Sequence, residues 1–269
     1  MDLQLTGRVA LVTGSSRGTG AGIARVLARE GAHVVVSGVD EIACERIAGE
    51  IAKAGGKVSI APGDVASADG AEAVIAALVA ARLEVDVLVN NYGTAERGFW
   101  STATDADWLS IYEKNVVSGV RLVRALVPGM KARGWGRVVF VGTIGSTRPN
   151  ARMPHYYAAK GALPVMTVGL AKELAGTGIT VNLVSPGLIA TAEVIENARR
   201  RAAKESWSEI DDTDALLRRL AAQDMPNPVG RIATTEEVGE LVAFLAGSRA
   251  AFVNGQNIRI DGGAVDVTV

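Results

Sequence analysis

The chain has 269 residues, 48% of them hydrophobic, a length that suits one large α/β domain or two small ones. With 28 basic and 29 acidic residues its net charge is −1, so neither nucleic acid nor a membrane surface is expected as a partner. The single cysteine excludes an internal disulfide, and no apolar run reaches the ~20 residues of a membrane span. Because the N-terminus also lacks a signal-peptide pattern, we expect a cytoplasmic protein.

Short β-branched runs alternate with longer helical patterns along the chain. The predicted strands are 8–13, 33–37, 57–61, 85–90, 137–142, 180–185 and 256–261. The predicted helices are 18–30, 41–54, 68–82, 105–133, 156–175 and 235–246, with Asp40, Ser67, Thr104 and Thr234 as N-caps of the second, third, fourth and sixth. Most strands are apolar nearly throughout, which is typical of strands covered by helices on both faces. The pattern predicts a Rossmann-type, doubly wound parallel sheet of about seven strands.

The domain organisation is predicted to be simple. No Pro/Gly/Ser-rich linker, repeat or low-complexity segment divides the chain, so we expect one domain over residues 1–269. The charged, helical segment at about 192–227 is an insert before Pro228. A late insert at the carboxyl edge of such a sheet is well placed to cover a substrate.

A glycine-rich turn joins the first strand to the first helix, in the order Thr13-Gly14-Ser15-Ser16-Arg17-Gly18-Thr19-Gly20. A pyrophosphate at this turn would meet backbone N–H groups and the positive end of a helix. Glycine is needed there because a side chain would block close approach to the phosphate. The spacing and the strand–helix context together predict a dinucleotide site.

The end of the second strand bears on the choice between NAD and NADP. An acidic residue there would bind the ribose hydroxyls and repel a 2′-phosphate, but Gly38 occupies that slot. Arg17 is available to pair with a phosphate, and Ser37 to add a hydrogen bond. The nearby Asp40 and the absence of a basic residue just after the strand count against NADP. We therefore expect NADP(H), with NAD(H) as the alternative.

Tyr156 and Lys160 are four residues apart on a predicted helix, so their side chains share one face. A nearby ammonium group favours the phenolate and is expected to lower the tyrosine pKa. Tyr156 is then a candidate acid in reduction and base in oxidation. Tyr157 has no lysine four residues later and is the weaker candidate. Thr143, 13 residues upstream, supplies a hydroxyl just past an apolar strand.

Taken as an ordered set, these motifs resemble the short-chain dehydrogenase/reductase family along nearly the whole chain. The motifs are Thr13-Gly14-x-x-x-Gly18-x-Gly20, Asp64-Val65, Asn90-Asn91-x-Gly93, Asn115, Thr143, Tyr156-x-x-x-Lys160, Pro186-Gly187-Leu188-Ile189-Ala190-Thr191 and Asp261-Gly262-Gly263. The closing segments Pro228-Val229-Gly230-Arg231 and Asn254-Gly255-Gln256 are similar to those of 3-oxoacyl-carrier-protein reductases, although sugar, polyol and steroid dehydrogenases share them.

The resemblance implies roles for particular residues. Tyr156 would be the acid/base, and Lys160 would bind the ribose hydroxyls of the cofactor and tune the tyrosine. Thr143 would form a hydrogen bond with the substrate oxygen, and Asn115 would support a water-mediated proton relay. The implied cofactor contacts are Gly14, Ser16, Arg17, Gly18, Thr19, Gly20, Ser37, Asp64, Val65, Asn90, Gly93, Tyr156, Lys160, Pro186, Gly187, Ile189 and Thr191. No metal site is predicted.

Three residues depart from the family pattern. Thr143 stands where serine is usual, which keeps the hydroxyl but restricts χ1, and Ser146 is the alternative hydroxyl. Tyr92 replaces an alanine, so it either crowds the nicotinamide side or packs outward. Pro164 falls inside the helix that carries Tyr156, and we expect any bend to lie beyond Lys160.

The leading functional hypothesis is an NAD(P)-dependent oxidoreductase that moves a hydride between nicotinamide and a carbonyl or secondary alcohol, with 3-oxoacyl compounds as one substrate class. The alternatives are a non-catalytic NAD(P)-sensing or scaffold protein and a cofactor-independent lyase or dehalogenase on the same fold. The expected partner is a small-molecule substrate, and the family implies a homo-oligomer, either a dimer or a tetramer. Arg199, Arg200 and Arg201 are interpreted as a solvated helix face rather than an anchor for an acidic substrate.

Overall fold

The computed structural model describes residues 1–208 and 210–267, so Glu209 of the predicted insert lies outside the described residues. Within these ranges the chain forms a single seven-stranded sheet, parallel throughout, in the order β3-β2-β1-β4-β5-β6-β7. The strands are β1 Val9–Val12, β2 His33–Val36, β3 Val58–Ile60, β4 Val87–Asn90, β5 Gly136–Val141, β6 Ile179–Pro186 and β7 Asn257–Ile260. The predicted fold class and each predicted strand are confirmed, with ends that differ by at most two residues.

Nine α-helices flank the sheet within the described part of the chain. They are α1 Gly18–Arg29, α2 Glu41–Lys53, α3 Ala68–Ala80, α4 Asp105–Tyr112, α5 Ser118–Arg133, α6 Pro154–Glu173, α7 Ala192–Glu205, α8 Thr213–Asp224 and α9 Thr235–Ala246. The four predicted N-caps are confirmed, because Asp40, Ser67, Thr104 and Thr234 each accept a hydrogen bond from a first-turn backbone N–H. Among the described residues, no helix is long and apolar enough to cross a membrane.

The strands are apolar on both sides because the sheet separates two cores. In β1, Ala10 and Val12 belong to the core formed with α1, α2 and α9, whereas Leu11 belongs to the core formed with α3, α5 and α6. Alternate residues of a strand point to opposite faces, so a strand between two helical layers buries all of them. At about 25 cal/mol per Å² of apolar surface, this double burial supplies most of the driving force for the sheet.

Two helices differ from their predicted form. The predicted helix 105–133 is α4 and α5 joined by a π-helical turn at Glu113–Val117, which contains Asn115. α6 begins at Pro154, two residues before its predicted start, since proline fits the first helical turn, where its missing N–H costs nothing. The helix then continues past Pro164 to Glu173, so the first turns that carry Tyr156 and Lys160 are regular.

The segment predicted as an insert contains α7 and α8, which pack on each other. A small core of Ala198, Ala202, Trp207, Leu216 and Leu220 lies between them. The two helices follow β6, so they lie beside the carboxyl ends of the strands.

The strand order reverses beside β1, which pairs with β2 on one side and β4 on the other. In open α/β sheets such a switch point leaves a crevice outside the carboxyl ends of the strands. The glycine-rich turn follows β1, and Asn91 follows β4 at this edge. Thr143 lies two residues beyond β5, and Gly187 directly follows β6. The topology therefore collects these separated motifs at one place.

Candidate active site

The glycine-rich turn has the backbone geometry that its glycines were predicted to serve. Gly14 and Gly18 have φ angles of +61° and +57°, which non-glycine residues rarely adopt. A methyl group at Gly20 would lie 2.3 Å from the carbonyl oxygen of Gly14. The Asn91 side-chain amide donates to the Thr13 and Gly14 carbonyl oxygens at 2.9 and 3.1 Å and so fixes the turn against the end of β4.

Two adjoining cavities extend from this turn and share the residues Gly14, Arg17, Asn91, Gly93 and Thr94 as walls. The inner cavity, of about 300 Å³, is lined by Gly18, Thr19, Gly20, Thr143, Tyr156, Lys160, Pro186, Gly187, Ile189 and Glu193 in addition to the shared residues. The side cavity, of about 330 Å³, is lined by Ser16, Gly38, Val39, Asp40, Ala43 and Tyr92 in addition to them. The proton-transfer candidates and the glycine turn therefore border one continuous crevice.

Six predicted site residues do not border the two cavities, namely Asn115, which is described below, and five others. Val65 is fully buried, and so is Ser37, whose backbone N–H donates to the Ser15 hydroxyl. Asn90 lies beneath the crevice at the end of β4, and Thr191 caps α7, 3.6 Å from where a methyl group at Gly18 would lie. Asp64 accepts a hydrogen bond from Tyr92. Glu193, which lines the inner cavity, was not predicted, since an acidic residue in the first turn of a helix is unremarkable in sequence.

Tyr156 and Thr143, the candidate reactive pair, both line the inner cavity. Thr143 Oγ1 accepts a hydrogen bond from the Gly145 N–H at 3.1 Å, which fixes its rotamer. Burial, reinforced by the neighbouring Tyr157, raises the pKa of Tyr156 to about 12. The Thr143 side chain offsets part of this rise in the pKa of Tyr156. The expectation that this pKa is lowered is wrong for the chain on its own, because burial raises it.

Lys160 is buried at the back of the same cavity. Its Nζ donates to the Val141 carbonyl oxygen at 2.9 Å, at the end of β5. Burial lowers the pKa of Lys160 to about 8, since no carboxylate compensates the charge among the described residues. A buried ammonium group that titrates near neutrality is typical of functional sites.

Asn115 lies behind Gly93 rather than in the cavity itself. Within the π-helical turn, its Nδ2 donates to the carbonyl oxygens of Thr94 and Ile111 at 3.0 Å each. Its Oδ1 is buried and has no hydrogen-bond partner in the described chain. A methyl group at Gly93 would lie 2.3 Å from this oxygen and 3.2 Å from Lys160 Nζ. Gly93 therefore brings the unpaired oxygen and the ammonium group to the same spot.

The two alternative residues have other partners. The Ser146 hydroxyl donates to the Thr143 carbonyl oxygen at 2.8 Å, so it holds the turn after β5. The Tyr157 hydroxyl accepts a hydrogen bond from Asn150 Nδ2 at 2.8 Å, and its ring packs where a methyl group at Gly145 would lie, only 2.0 Å away. Neither side chain borders the inner cavity, which favours Thr143 and Tyr156 as the reactive hydroxyls.

Tyr92 follows neither of its two expected placements. Its hydroxyl donates to Asp64 Oδ1 at 3.0 Å, and its ring forms part of the wall of the side cavity. Burial, with the Asp64 carboxylate, raises the pKa of Tyr92 to about 12, so the phenol keeps its proton. This side chain therefore shapes the end of the crevice that is remote from Tyr156.

One arginine lines the side cavity, and a second, Arg46, contacts the turn beside it while it is paired with Glu50 at 2.7 Å. The Arg17 guanidinium borders both cavities and has no hydrogen-bond or ion-pair partner within the described residues. Arg46 donates from Nη2 to the Ser16 carbonyl oxygen at 3.2 Å. Sequence analysis did not find Arg46 because it lies on α2, well beyond the end of β2. Asp40, which counted against NADP, accepts from the Ala43 N–H as a helix cap.

A larger outer cleft of about 1140 Å³ lies between the loops after β4 and β5 and the α7–α8 pair. Its lining includes Arg97, Asn150, Arg152, Tyr157, Leu188 and Arg201. In the arginine run of α7, Arg199 bonds to Thr213, Arg200 pairs with Glu196, and Arg201 pairs with Glu205 and Asp224. The interpretation of a paired, solvated helix face is therefore confirmed for Arg199 and Arg200, whereas Arg201 faces the outer cleft.

No cluster of metal-binding side chains occurs within residues 1–208 and 210–267.

Comparison with known families and sequences gives a consistent result. A family model described as enoyl-(acyl carrier protein) reductase matches residues 14–265. The chain is 33% identical to the 3-oxoacyl-(acyl-carrier-protein) reductase FabG of Vibrio cholerae serotype O1, over 97% of this chain and 98% of that protein. It is also 33% identical to the FabG of Escherichia coli K12, with the same coverage.

Solved structures resemble the whole chain as well. The crystal structure of L-sorbose reductase from Gluconobacter frateurii complexed with NADPH and L-sorbose has a TM-score of 0.91 and 33% identity, and the match covers 99% of this chain and 100% of that one. A 3-oxoacyl (acyl-carrier-protein) reductase from Agrobacterium tumefaciens C58 with NADP bound has a TM-score of 0.84 and 35% identity, over 97% and 96% of the two chains.

Proposed function

The chain belongs to the short-chain dehydrogenase/reductase family and is an oxidoreductase of carbonyl and alcohol groups; from that premise we propose that it reduces ketones with NADPH. The observation that carries the proposal is the inner cavity. Its walls combine the glycine-rich turn with Thr143, Tyr156 and Lys160. A sensor or scaffold protein has no use for a phenol and a buried ammonium group beside a dinucleotide cradle.

The residues of the crevice fit a dinucleotide. A side chain at Gly20 would collide with the Gly14 carbonyl oxygen, so the turn has no side chain there. A phosphate can therefore meet the backbone N–H groups at the start of α1. Buried polar atoms without partners in the described chain, Ser37 Oγ and Asn90 Nδ2, lie near the same edge of the sheet. Buried polar groups are rarely left unpaired, so they are consistent with a polar ligand or water.

Three features support NADPH over NADH. Gly38 leaves no carboxylate at the end of β2 to repel a 2′-phosphate. The unpaired Arg17 guanidinium beside this position can hold a phosphate by charge-assisted hydrogen bonds. Two similar structures contain NADPH or NADP.

In reduction, the hydroxyls of Thr143 and Tyr156 hold and polarise the substrate oxygen. The cofactor supplies the hydride that reaches the carbonyl carbon. Tyr156 donates its proton to the oxygen as negative charge develops there. The raised pKa of Tyr156 keeps this proton in place at neutral pH before reaction. In oxidation the same phenol, once ionised, accepts the proton.

Lys160 and Asn115 support this proton transfer. The Lys160 ammonium stabilises negative charge that appears on Tyr156 after donation. Asn115 is a positioning residue, because its unpaired Oδ1 beside Gly93 is suited to accept a hydrogen bond from a water that returns a proton towards Lys160. The remaining predicted contacts, from Ser16 to Thr191, bind the cofactor in this proposal.

The substrate enters through the outer cleft, under the α7–α8 pair. In this proposal residues 1–269 form one domain, and the insert at about 192–227 covers the substrate. The named relatives act on 3-oxoacyl groups or on a ketose, and both are ketones that fit the same reaction.

The proposed assembly is a homo-oligomer in the cytoplasm, either a dimer or a tetramer. An apolar groove between α5 and α6, of about 520 Å³, includes Val123, Val127, Met166 and Leu170 and supports a helix-to-helix interface between copies. The one free cysteine, Cys44, is consistent with a reducing compartment.

Oxidation of NADPH, followed by absorbance with a panel of ketones, tests the proposal. The expected result is turnover with NADPH that exceeds turnover with NADH and is lost in Tyr156→Phe. Thermal shifts with each cofactor measure binding separately. A chain that binds neither cofactor, or that binds NADPH but reduces no member of a broad ketone panel, contradicts the proposal.

A further inference from the structure

The outer cleft lies next to the inner cavity. Tyr156 borders the inner cavity, and the next residue, Tyr157, borders the outer cleft. The centroids of their two rings are 5.4 Å apart. The loop after β4 also spans both, because Ala95 borders the inner cavity and Arg97 the outer cleft. A ketone that occupies both cavities would place its carbonyl oxygen at Tyr156 and its remaining atoms in the outer cleft.

Two exposed arginines, Arg97 and Arg152, line this cleft from neighbouring loops. The Gly98 N–H donates to the Arg152 carbonyl oxygen at 2.9 Å, which ties the loop after β4 to the loop after β5. Arg97 and Arg152 are thereby held on adjacent backbone segments, although 55 residues separate them in sequence. The Arg152 N–H in turn donates to Asn150, whose side chain bonds to the Tyr157 hydroxyl, so these loops are connected to the site.

The charges of the outer cleft are unequally paired. Its lining holds three guanidinium groups and two carboxylates, a net charge of +1. Arg201 engages both carboxylates, with contacts to Glu205 at 3.0 Å and to Asp224 at 2.9 Å. Across residues 1–208 and 210–267, the guanidinium groups of Arg97 and Arg152 have no hydrogen bond and no ion pair. The nearby carboxylate of Glu96 is held by Lys114 at 2.8 Å and does not neutralise them.

From this arrangement we propose that the substrate is a ketone with an anionic group, bound by Arg97 and Arg152 while its carbonyl meets Thr143 and Tyr156. The inference rests on the proposed reductase function and specifies its substrate class. Arginine presents a planar fork of donors that matches the oxygens of carboxylate and phosphate groups. Two such forks on neighbouring loops, joined by the Gly98–Arg152 hydrogen bond, form a site for one anion. The amides of Asn150, Asn197 and Gln223 line the same cleft and suit a hydrophilic body between the two ends.

The test compares ketones that differ in charge but share a carbon skeleton. With the NADPH-loaded enzyme, 5-keto-D-gluconate is paired with L-sorbose, acetoacetate with ethyl acetoacetate, and D-fructose 6-phosphate with D-fructose. We expect kcat/KM to be about tenfold or more higher for the anionic ketone than for the neutral one in at least one pair. The identity of that pair shows whether the site prefers a carboxylate or a phosphate. Raising the salt concentration is expected to reduce the preference.

Arg97→Gln and Arg152→Gln separate the anion site from the rest of the protein. Each variant is expected to raise KM for the preferred anion about tenfold, with kcat and the neutral ketone little affected. Arg218→Gln is the matched control, because Arg218 is an exposed arginine of α8 that does not line the outer cleft. Equal loss for charged and neutral ketones would indicate a structural effect and overturn the proposal, as would an anion preference that both variants retain.

Calorimetric titration of the same ketones into the NADP⁺ complex tests binding without turnover. Tighter binding of the anion, lost in Arg97→Gln and Arg152→Gln, supports the proposal even if the chosen ketones are poor substrates. Equal binding of charged and neutral partners in every pair overturns it. Failure of the reductase function has a different signature, namely absence of NADPH binding or of turnover for charged and neutral ketones alike.

Discussion

The ammonium group of Lys160 lies 2.9 Å from the backbone carbonyl oxygen of Val141, and burial lowers its pKa to about 8 from an ordinary value of 10.5. The carbonyl at the end of β5 thus fixes the direction of the lysine but does not compensate its charge. Lys160 is therefore retained at a cost in folding stability, as is common for groups that a site requires.

Replacement of this lysine should separate stability from activity. We expect Lys160→Met to lose reductase activity but to raise the free energy of unfolding at neutral pH by about 1–3 kcal/mol, because a buried charge is removed while the apolar volume is kept. Denaturant unfolding and NADPH turnover measure the two effects. Lys53→Met, at the exposed end of α2, is the control and should change neither.

The stability difference should also depend on pH in a defined direction. The folded pKa is about 8 and the unfolded value 10.5, so between these limits the unfolded chain binds the additional proton. Wild-type stability consequently rises with pH through this window, and the advantage of Lys160→Met shrinks towards the upper limit. A variant that is less stable than wild type at neutral pH would contradict this account of Lys160.

The pH dependence of reduction should reflect the same group. Tyr156, with a pKa of about 12, stays protonated across the accessible range, whereas Lys160 loses its charge as pH rises through about 8. We expect kcat/KM for ketone reduction to be flat at neutral pH and to fall above about pH 8. A profile that stays flat well beyond this point would show that the charge of Lys160 is not required.

Tyr156→Phe tests the proton donor. Loss of the phenol should lower kcat by about 10²–10⁴-fold, a typical range for a general acid, and leave the dissociation constant for NADPH nearly unchanged. Tyr157→Phe is the matched comparison for kcat, since it removes the hydrogen bond from Asn150 and leaves the phenol of the inner cavity in place. Because Tyr157 lines the outer cleft, its loss should affect KM more than kcat. Near-normal turnover in Tyr156→Phe would assign the proton to another group.

Gly93→Ala tests the space shared by Asn115 and Lys160. The added methyl group would lie 2.3 Å from Asn115 Oδ1, so we expect that oxygen to be displaced and kcat to fall. Gly161→Ala on α6 meets no atom within 4 Å and should stabilise the helix by up to about 1 kcal/mol without loss of activity. Steady-state kinetics of the two variants separate a local effect on the relay from a general effect of a methyl group. Unchanged kcat in Gly93→Ala would argue against the relay.

Arg17→Gln tests the cofactor preference. Loss of a charge-assisted hydrogen bond, worth about 1.5–3 kcal/mol, should weaken NADPH binding by about tenfold to a hundredfold. NADH lacks the 2′-phosphate, so its affinity should change little. Fluorescence titration of both cofactors gives the ratio. A parallel loss of affinity for the two would mean that Arg17 acts on the pyrophosphate or on the turn itself.

Much of the site was predictable because its signals are local. The φ angles of Gly14 and Gly18 follow from a tight strand-to-helix turn, and the shared face of Tyr156 and Lys160 follows from helical periodicity. The alternation of apolar runs with helical patterns predicts the parallel sheet, which in turn collects the ends of β1, β4, β5 and β6 at one edge. Each of these inferences uses only the geometry of neighbouring residues.

The remaining features depend on which distant segments meet. Tyr92 bonds to Asp64, Arg46 contacts the turn through the Ser16 carbonyl oxygen, and the loop of Arg97 meets that of Arg152 through the hydrogen bond of Gly98. Periodicity does not specify where a long side chain points once it leaves its own helix or loop. For the same reason the pKa of Tyr156 was predicted in the wrong direction, since the sequence shows its charged neighbour but not the packing that removes water.

The sequence by itself therefore determined the sheet, the glycine-rich turn and the shared helix face of the candidate phenol and amine, because backbone preference and side-chain period act over a few residues. Only the tertiary structure decided the protonation behaviour of that phenol and amine and the unpaired arginines of the outer cleft. Desolvation and charge pairing are sums over everything that surrounds a group, and those surroundings exist only after the chain has folded.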